Sequence, residues 1–268
     1  MTKETQKDHT RLALEQATVK ISTTSGFKGT GFFINPDGYI LTAWHCIAEV
    51  IPMPFSIITV ETIEGQTFTA QLAQDKSIQA SDIAVLKIDY TTEHCVPLGL
   101  ITEKNRGDGV IAIGYPAAYI EGRGIGVYAG IINQLLKPEK TAIDEFETTA
   151  IEGQGQSGGL IYHFETQRLI GLAKKIYLNE VTKTTGVAVR FESLFAKWPD
   201  LERINKQVAH AWDERMALVP KPLDAAQLLR LLNQVPDIKG KLPKIKRHGW
   251  PLPVQTALQD LKKPHRRL

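Results

Sequence analysis

Three short segments of this chain carry side chains that together could perform acyl transfer. Leu41-Thr42-Ala43-Trp44-His45-Cys46 holds an imidazole, Ser81-Asp82-Ile83-Ala84-Val85-Leu86-Lys87-Ile88 a carboxylate, and Gly153-Gln154-Gly155-Gln156-Ser157-Gly158-Gly159 a hydroxyl among glycines. A serine hydroxyl alone is too weakly acidic to attack an amide at neutral pH. It needs a base to take its proton and a third group to orient that base. Imidazole suits the base role because its unperturbed pKa lies near 6.5, and a buried carboxylate fixes its tautomer and stabilises the imidazolium that forms. Ser157, His45 and Asp82 can fill these roles in that order. Chain without Cβ atoms can turn its N–H groups inward, so the N–H groups of Gly155 and Ser157 are the expected oxyanion donors. Such a reaction requires no metal and no cofactor.

These groups can act only if a rigid frame brings them together across gaps of 37 and 75 residues. The frame reads as β. Runs rich in Val, Ile, Thr and Phe recur at 17–23, 31–34, 39–42, 57–63, 67–73, 83–88, 110–115, 127–135, 146–150, 169–176 and 186–191. Turn chemistry separates them, as in Asn35-Pro36-Asp37-Gly38 and Arg106-Gly107-Asp108-Gly109. So many short strands at this spacing fit two small barrels better than one sandwich. Beyond residue 190 the period changes. Glu192–Trp198 can make one or two helical turns, Pro199-Asp200 opens a helix, and Leu201, Ile204, Val208, Trp212 and Met216 follow at helical spacing. Asp224 can cap a second helix that ends at Pro236, and Val254–Leu261 can form a third.

Composition narrows the class. With 43% hydrophobic and 23% charged residues the chain is too apolar to be disordered as a whole. No run approaches the span a membrane helix needs, and the first ten residues, MTKETQKDHT, lack the apolar core of a secretory leader. Cys46 and Cys95 are too few for a disulfide framework. A cytoplasmic protein is the expectation. The formal net charge of +3 conceals an asymmetry: residues 239–268 hold nine Lys or Arg against Asp260 alone, a net +8, which leaves −5 on the first 238. The basic end suits a solvated tail or docking to an acidic protein surface, this chain's own body included. Nucleic acid is a weaker fit, because Trp250 is the lone aromatic in Lys244–Trp250.

The three segments resemble the trypsin- and chymotrypsin-like serine peptidases, with His, Asp and Ser in that chain order. Gly29-Thr30-Gly31-Phe32 and Ala112-Ile113-Gly114-Tyr115-Pro116 are similar to the bacterial HtrA-like (Deg) branch. The resemblance covers about residues 15–195 and implies an all-β fold of two six-stranded antiparallel barrels with the triad in the cleft between them. The expected organisation is a flexible segment 1–13, a peptidase domain 14–198 and a basic helical extension 199–268. The implied activity is endopeptidase cleavage of protein or peptide substrates, with residues 199–268 as a docking or control element for a partner protein. The competing class is a peptidase-fold scaffold without activity that works through this basic end. Gln156 stands where digestive relatives carry an aspartate that pairs with a new N-terminus, so activation by clipping is not expected. Residues 199–268 read as helical rather than PDZ-like, so the ligand control typical of the HtrA branch is not expected.

The resemblance also implies a primary pocket lined by residues just before the nucleophile (Ile151, Glu152, Gln154), by Ala173, Lys174 and Lys175, and by Gly186. Its preference stays open. Glu152 facing inward would favour a basic substrate residue, Lys174 or Lys175 an acidic one, and Ile151 at the floor an apolar one. Two other patterns carry less. Gly124-Ile125-Gly126 matches a dinucleotide fingerprint in letters but leads into a strand-like run. His94-Cys95 has no companion at metal-site spacing.

Overall fold

A computed structural model of the protein describes residues 3–116, 124–136, 144–151, 153, 155–177 and 185–217. Its strands are short and every pair of neighbours runs antiparallel, as runs joined by tight turns require. β1 (Thr18–Thr23), β2 (Gly26–Phe33), β3 (Tyr39–Ala43), β4 (Ile58–Glu61), β5 (Thr67–Leu72) and β6 (Ile83–Lys87) close into a barrel in the order β1-β2-β3-β6-β5-β4. β7 (Gly109–Gly114), β8 (Gly126–Leu136), β9 (Glu145–Thr148), β10 (Leu160–His163), β11 (Arg168–Tyr177) and β12 (Thr185–Val189) close a second in the order β10-β11-β12-β9-β8-β7. The all-β expectation of two six-stranded barrels holds. Among the described strands, closure leaves no exposed edge for another chain to pair with. Gly126 does enter a strand, β8, so the glycine pattern there has no helix N-terminus to offer a phosphate.

Three differences from the sequence expectation have physical causes. β10 was not among the eleven expected runs. Its four residues, Leu160-Ile161-Tyr162-His163, are all buried, so the strand shows neither length nor alternation. The segment 1–13, expected to be flexible, is helical from Lys3 onward in α1 (Lys3–Ala17). Ala13, Leu14 and Ala17 bury its last turns, and the Thr18 hydroxyl donates to the Leu14 carbonyl at 2.8 Å. The position expected as a boundary, 198/199, falls inside one compact unit. By contacts, Thr10–Met216 form one compact unit, and Met1–His9 with Ala217–Leu268 the other.

The reason is α3 (Leu201–Ala217), which follows the short α2 (Glu192–Lys197). Its apolar stripe Leu201, Val208, Trp212 and Met216 is buried. Trp212 meets Tyr162 of β10 at 5.9 Å between ring centroids. Arg168 of β11 grips Asp213 with two bonds of 2.8 and 2.9 Å, and Asn205 bonds both backbone groups of Leu98. The helices expected beyond residue 217 lie outside the described residues. Among those described, no helix is long and apolar enough to cross a membrane.

Candidate active site

Antiparallel register brings the first two groups together. Ala43, the last residue of β3, pairs with Ile83, the first of β6. The residues just past one strand and just before the other therefore share one end of the first barrel. Trp44 N–H extends that ladder to the Asp82 carbonyl at 3.0 Å, and His45 follows in a single turn, Trp44–Cys46. Asp82 takes a left-handed conformation, φ 57°, which faces its carboxylate back toward that turn. One carboxylate oxygen accepts the His45 backbone N–H at 2.9 Å, and the other meets Nδ1 at 2.8 Å. A carboxylate only accepts, so Nδ1 carries a proton, and in the neutral ring Nε2 is the nitrogen with the lone pair. The bond to Asp82, with the Cys46 side chain a second contributor, raises the imidazole from 6.5 to about 10, while burial pulls the other way.

The hydroxyl comes from the second barrel, in the loop between β9 and β10. That loop is pressed onto the first barrel through backbone contact that only glycine permits. Gly155 and Gly158 have φ of 89° and 79°. A Cβ on Gly158 would stand 2.2 Å from the Thr30 carbonyl oxygen, and one on Gly29 would stand 2.7 Å from the Ser157 oxygen. Thr30 N–H donates to the Ser157 carbonyl at 2.9 Å, and Gly158 N–H to the Ala173 carbonyl at 2.7 Å. Gln156 is buried, and its side-chain oxygen accepts Gly153 N–H at 2.9 Å, so it braces its own loop. Among the described residues, the N–H groups of Gly155 and Ser157 donate to no backbone carbonyl, and no hydrogen bond joins the Ser157 hydroxyl to the His45 ring.

The expected pocket residues separate into distinct settings. Ile151 is buried against Gly186, where an added Cβ would lie 2.3 Å from the Ile151 Cβ. Ala173 and Ala188 belong to the same apolar cluster. Lys174 is drawn away into an ion pair with Glu145 at 2.7 Å, and Lys175 is exposed. Glu152 and Gln154 lie outside the described residues. Sequence reading gave no role to Glu145. It stands one residue before the expected run 146–150, and no spacing rule links it to Lys174.

The family described as "Trypsin-like peptidase domain" matches residues 29–172. A probable periplasmic serine endoprotease, DegP-like, of Rickettsia prowazekii (strain Madrid E) is 32% identical over 186 residues, covering 66% of this chain and 33% of its own. Its namesake from Hahella chejuensis (strain KCTC 2396) is 30% identical over 151 residues, 56% of this chain and 30% of its own. The chain thus spans about a third of the length of the curated relatives it matches. Among solved structures, the serine endoprotease from Yersinia pestis superposes with a TM-score of 0.55 at 25% identity, covering 76% of this chain and 66% of that one. The HtrA-type protease AlgW with decapeptide gives 0.58 at 21%, covering 74% and 68%, a likeness of fold. Because the family match runs over more than half of the sequence, this chain belongs to the trypsin-like peptidases, and it is similar to serine endoproteases of the DegP and HtrA type.

Proposed function

We propose that this protein is a serine endopeptidase that works through Ser157, His45 and Asp82. The observation that carries the reading is the pair of hydrogen bonds that His45 donates to Asp82: with Nδ1 so engaged, the neutral ring offers Nε2 as its base, in the turn whose Cys46 thiol reaches the Ser157 carbonyl. In this reading Ser157 Oγ attacks the scissile carbonyl carbon while Nε2 takes its proton. The carbonyl oxygen, now negative, is held by the N–H groups of Gly155 and Ser157. The imidazolium then protonates the leaving amine, and a water molecule, deprotonated by the same nitrogen, releases the acyl group. Ser157→Ala should preserve the fold and lower turnover by about 10⁴-fold or more. Undiminished proteolysis by the purified variant would sink the assignment.

The substrate preference is part of the same proposal. We read the wall as apolar because Ile151, Ala173 and Ala188 share one apolar cluster, Gly186 packs on Ile151, and Lys174 is paired with Glu145. We therefore assign an aliphatic residue to the position before the cleaved bond. A peptide library that returned Arg, Lys, Asp or Glu there would refute this.

Control by a partner is assigned to the chain after Met216, which holds the basic run, and not to α3, whose stripe is core. A truncation ending at Met216 should alter activity or captured partners; one with both unchanged would refute that role. The two cysteines are free and buried, which suits a reducing compartment and the cytoplasm. Recovery of the native protein from the periplasm alone would overturn that placement. One observation favours the scaffold reading instead, the missing bond between Ser157 and His45. A fluorophosphonate separates the two, since labelling at Ser157 requires a competent nucleophile.

A further inference from the structure

Thr30 has no part in the chemistry above, yet it is fully buried and four hydrogen bonds converge on it. Its N–H donates to the Ser157 carbonyl at 2.9 Å, and its own carbonyl accepts the Thr42 hydroxyl at 2.6 Å. Its hydroxyl lies 3.1 Å from the Gly155 carbonyl oxygen and 2.8 Å from Tyr115 N. The direction of that last pair is forced. Tyr115 N–H can only donate and the Gly155 carbonyl can only accept, so the single hydroxyl proton of Thr30 goes to Gly155. One oxygen thus ties the end of β7 to the nucleophile loop, from a strand of the other barrel.

The space for this oxygen is specific. A Cβ on Gly114 would stand 3.0 Å from Thr30 Oγ1 and 3.3 Å from the Gln156 Cα, so the glycine lets hydroxyl and loop approach. Gly155, at φ 89°, has no side chain to hold its backbone in place. Its carbonyl is held from outside, by Thr30, while its N–H is the group that the endopeptidase reading gives to the oxyanion.

We propose that Thr30 is a positioning residue for the oxyanion site: its hydroxyl fixes the Gly155 backbone so that the N–H of that residue faces the developing charge. The inference rests on the endopeptidase reading. A group that acts only there should matter more to the transition state than to bound substrate. Direct loss of an oxyanion donor costs about 10²–10³-fold, and loosening one from behind should cost less, about 10- to 100-fold in kcat.

The test compares wild type, Thr30→Val, Thr30→Ser, Thr30→Ala and Ser157→Ala on one peptide with an aliphatic residue before the cleaved bond. Two ligands are titrated beside it, a peptide boronic acid that forms a tetrahedral adduct and the N-terminal cleavage product. Thr30→Val, equal in shape without the hydroxyl, should lose kcat by that factor with KM nearly unchanged. Boronate affinity should fall in parallel, and product affinity should hold. Thr30→Ser should restore both. If the valine variant does not fold, as seen by thermal unfolding, the serine and alanine variants decide, with alanine expected to show the loss. Unchanged kcat in folded Thr30→Val or Thr30→Ala, an equal loss of boronate and product binding, or failure of serine to restore activity overturns the proposal. If wild type and Ser157→Ala are equally active, the endopeptidase reading itself falls. If wild type is active, Ser157→Ala is not, and the Thr30 variants match wild type, the role of Thr30 falls alone.

Discussion

Asp82→Asn tests the central geometry most directly, because it keeps shape and removes charge. The carboxylate spends one oxygen on the His45 backbone N–H at 2.9 Å and the other on Nδ1 at 2.8 Å. An amide has one acceptor only. The backbone N–H cannot change its role, so the Asn oxygen must face it and the NH₂ must face Nδ1. Nδ1 then becomes the acceptor, and the imidazole proton moves to Nε2, the atom required to take the proton of Ser157. The base is present but blocked. A wrong tautomer of this kind costs about 10⁴-fold in turnover, or about 5 kcal/mol of transition-state stabilisation. The pH profile moves independently. Asp82, with Cys46 a second contributor, raises His45 to about 10, so the protonated, inactive imidazole persists to higher pH and the wild-type rate climbs until pH approaches 10. Without the carboxylate the imidazole returns toward its ordinary value, and the acid limb shifts to lower pH while the plateau falls. The same linkage acts on stability. A raised folded-state value gives stabilisation that is complete below 6.5 and is lost as pH climbs toward 10, and Asp82→Asn should flatten that slope. The assay is kcat/KM from pH 5 to 10 on a single peptide, with the His45 ring followed by NMR. A variant within tenfold of wild type, or an acid limb that stays in place or moves upward, would refute the reasoning.

Other substitutions probe the pocket and its supports. Gly186→Ala places a Cβ 2.3 Å from the Ile151 Cβ, so it should cost about 1–3 kcal/mol in denaturant unfolding. It should also lower kcat/KM for Leu before the cleaved bond more than for Ala; an unchanged Leu-to-Ala ratio would remove Ile151 and Gly186 from the pocket. Lys174→Met leaves Glu145 buried and unpaired, an expected loss of about 3–5 kcal/mol. The aliphatic preference should survive that loss, and a switch toward acidic substrates in wild type relative to the variant would show that Lys174 faces the cleft after all.

Much of this molecule is legible along the chain because its chemistry is local. Serine, histidine and aspartate announce themselves by type, and each lies beside a β run whose turns are written in glycine, proline, asparagine and aspartate. The strands were readable for the same reason: alternation and β-branching act over four to eight residues. β10 escaped because burial on every side erases alternation, and α1 because a helix stabilised by what it packs against need not carry a strong pattern of its own.

The working parts that no local reading reaches depend on partners far apart in sequence. Register between β3 and β6 decides that His45 meets Asp82. Thr30 bonds residues 125 and 85 positions away, Arg168 holds Asp213, and Lys174 is silenced by Glu145. A hydroxyl or an ammonium has many possible partners in an unfolded chain. Only closure of two barrels against each other selects one, since a buried polar group must find its hydrogen bond among whatever the fold has brought within reach. Residue types thus defined which reaction was available here. Whether each group is aimed at it, braced behind it or turned away from it was decided by packing.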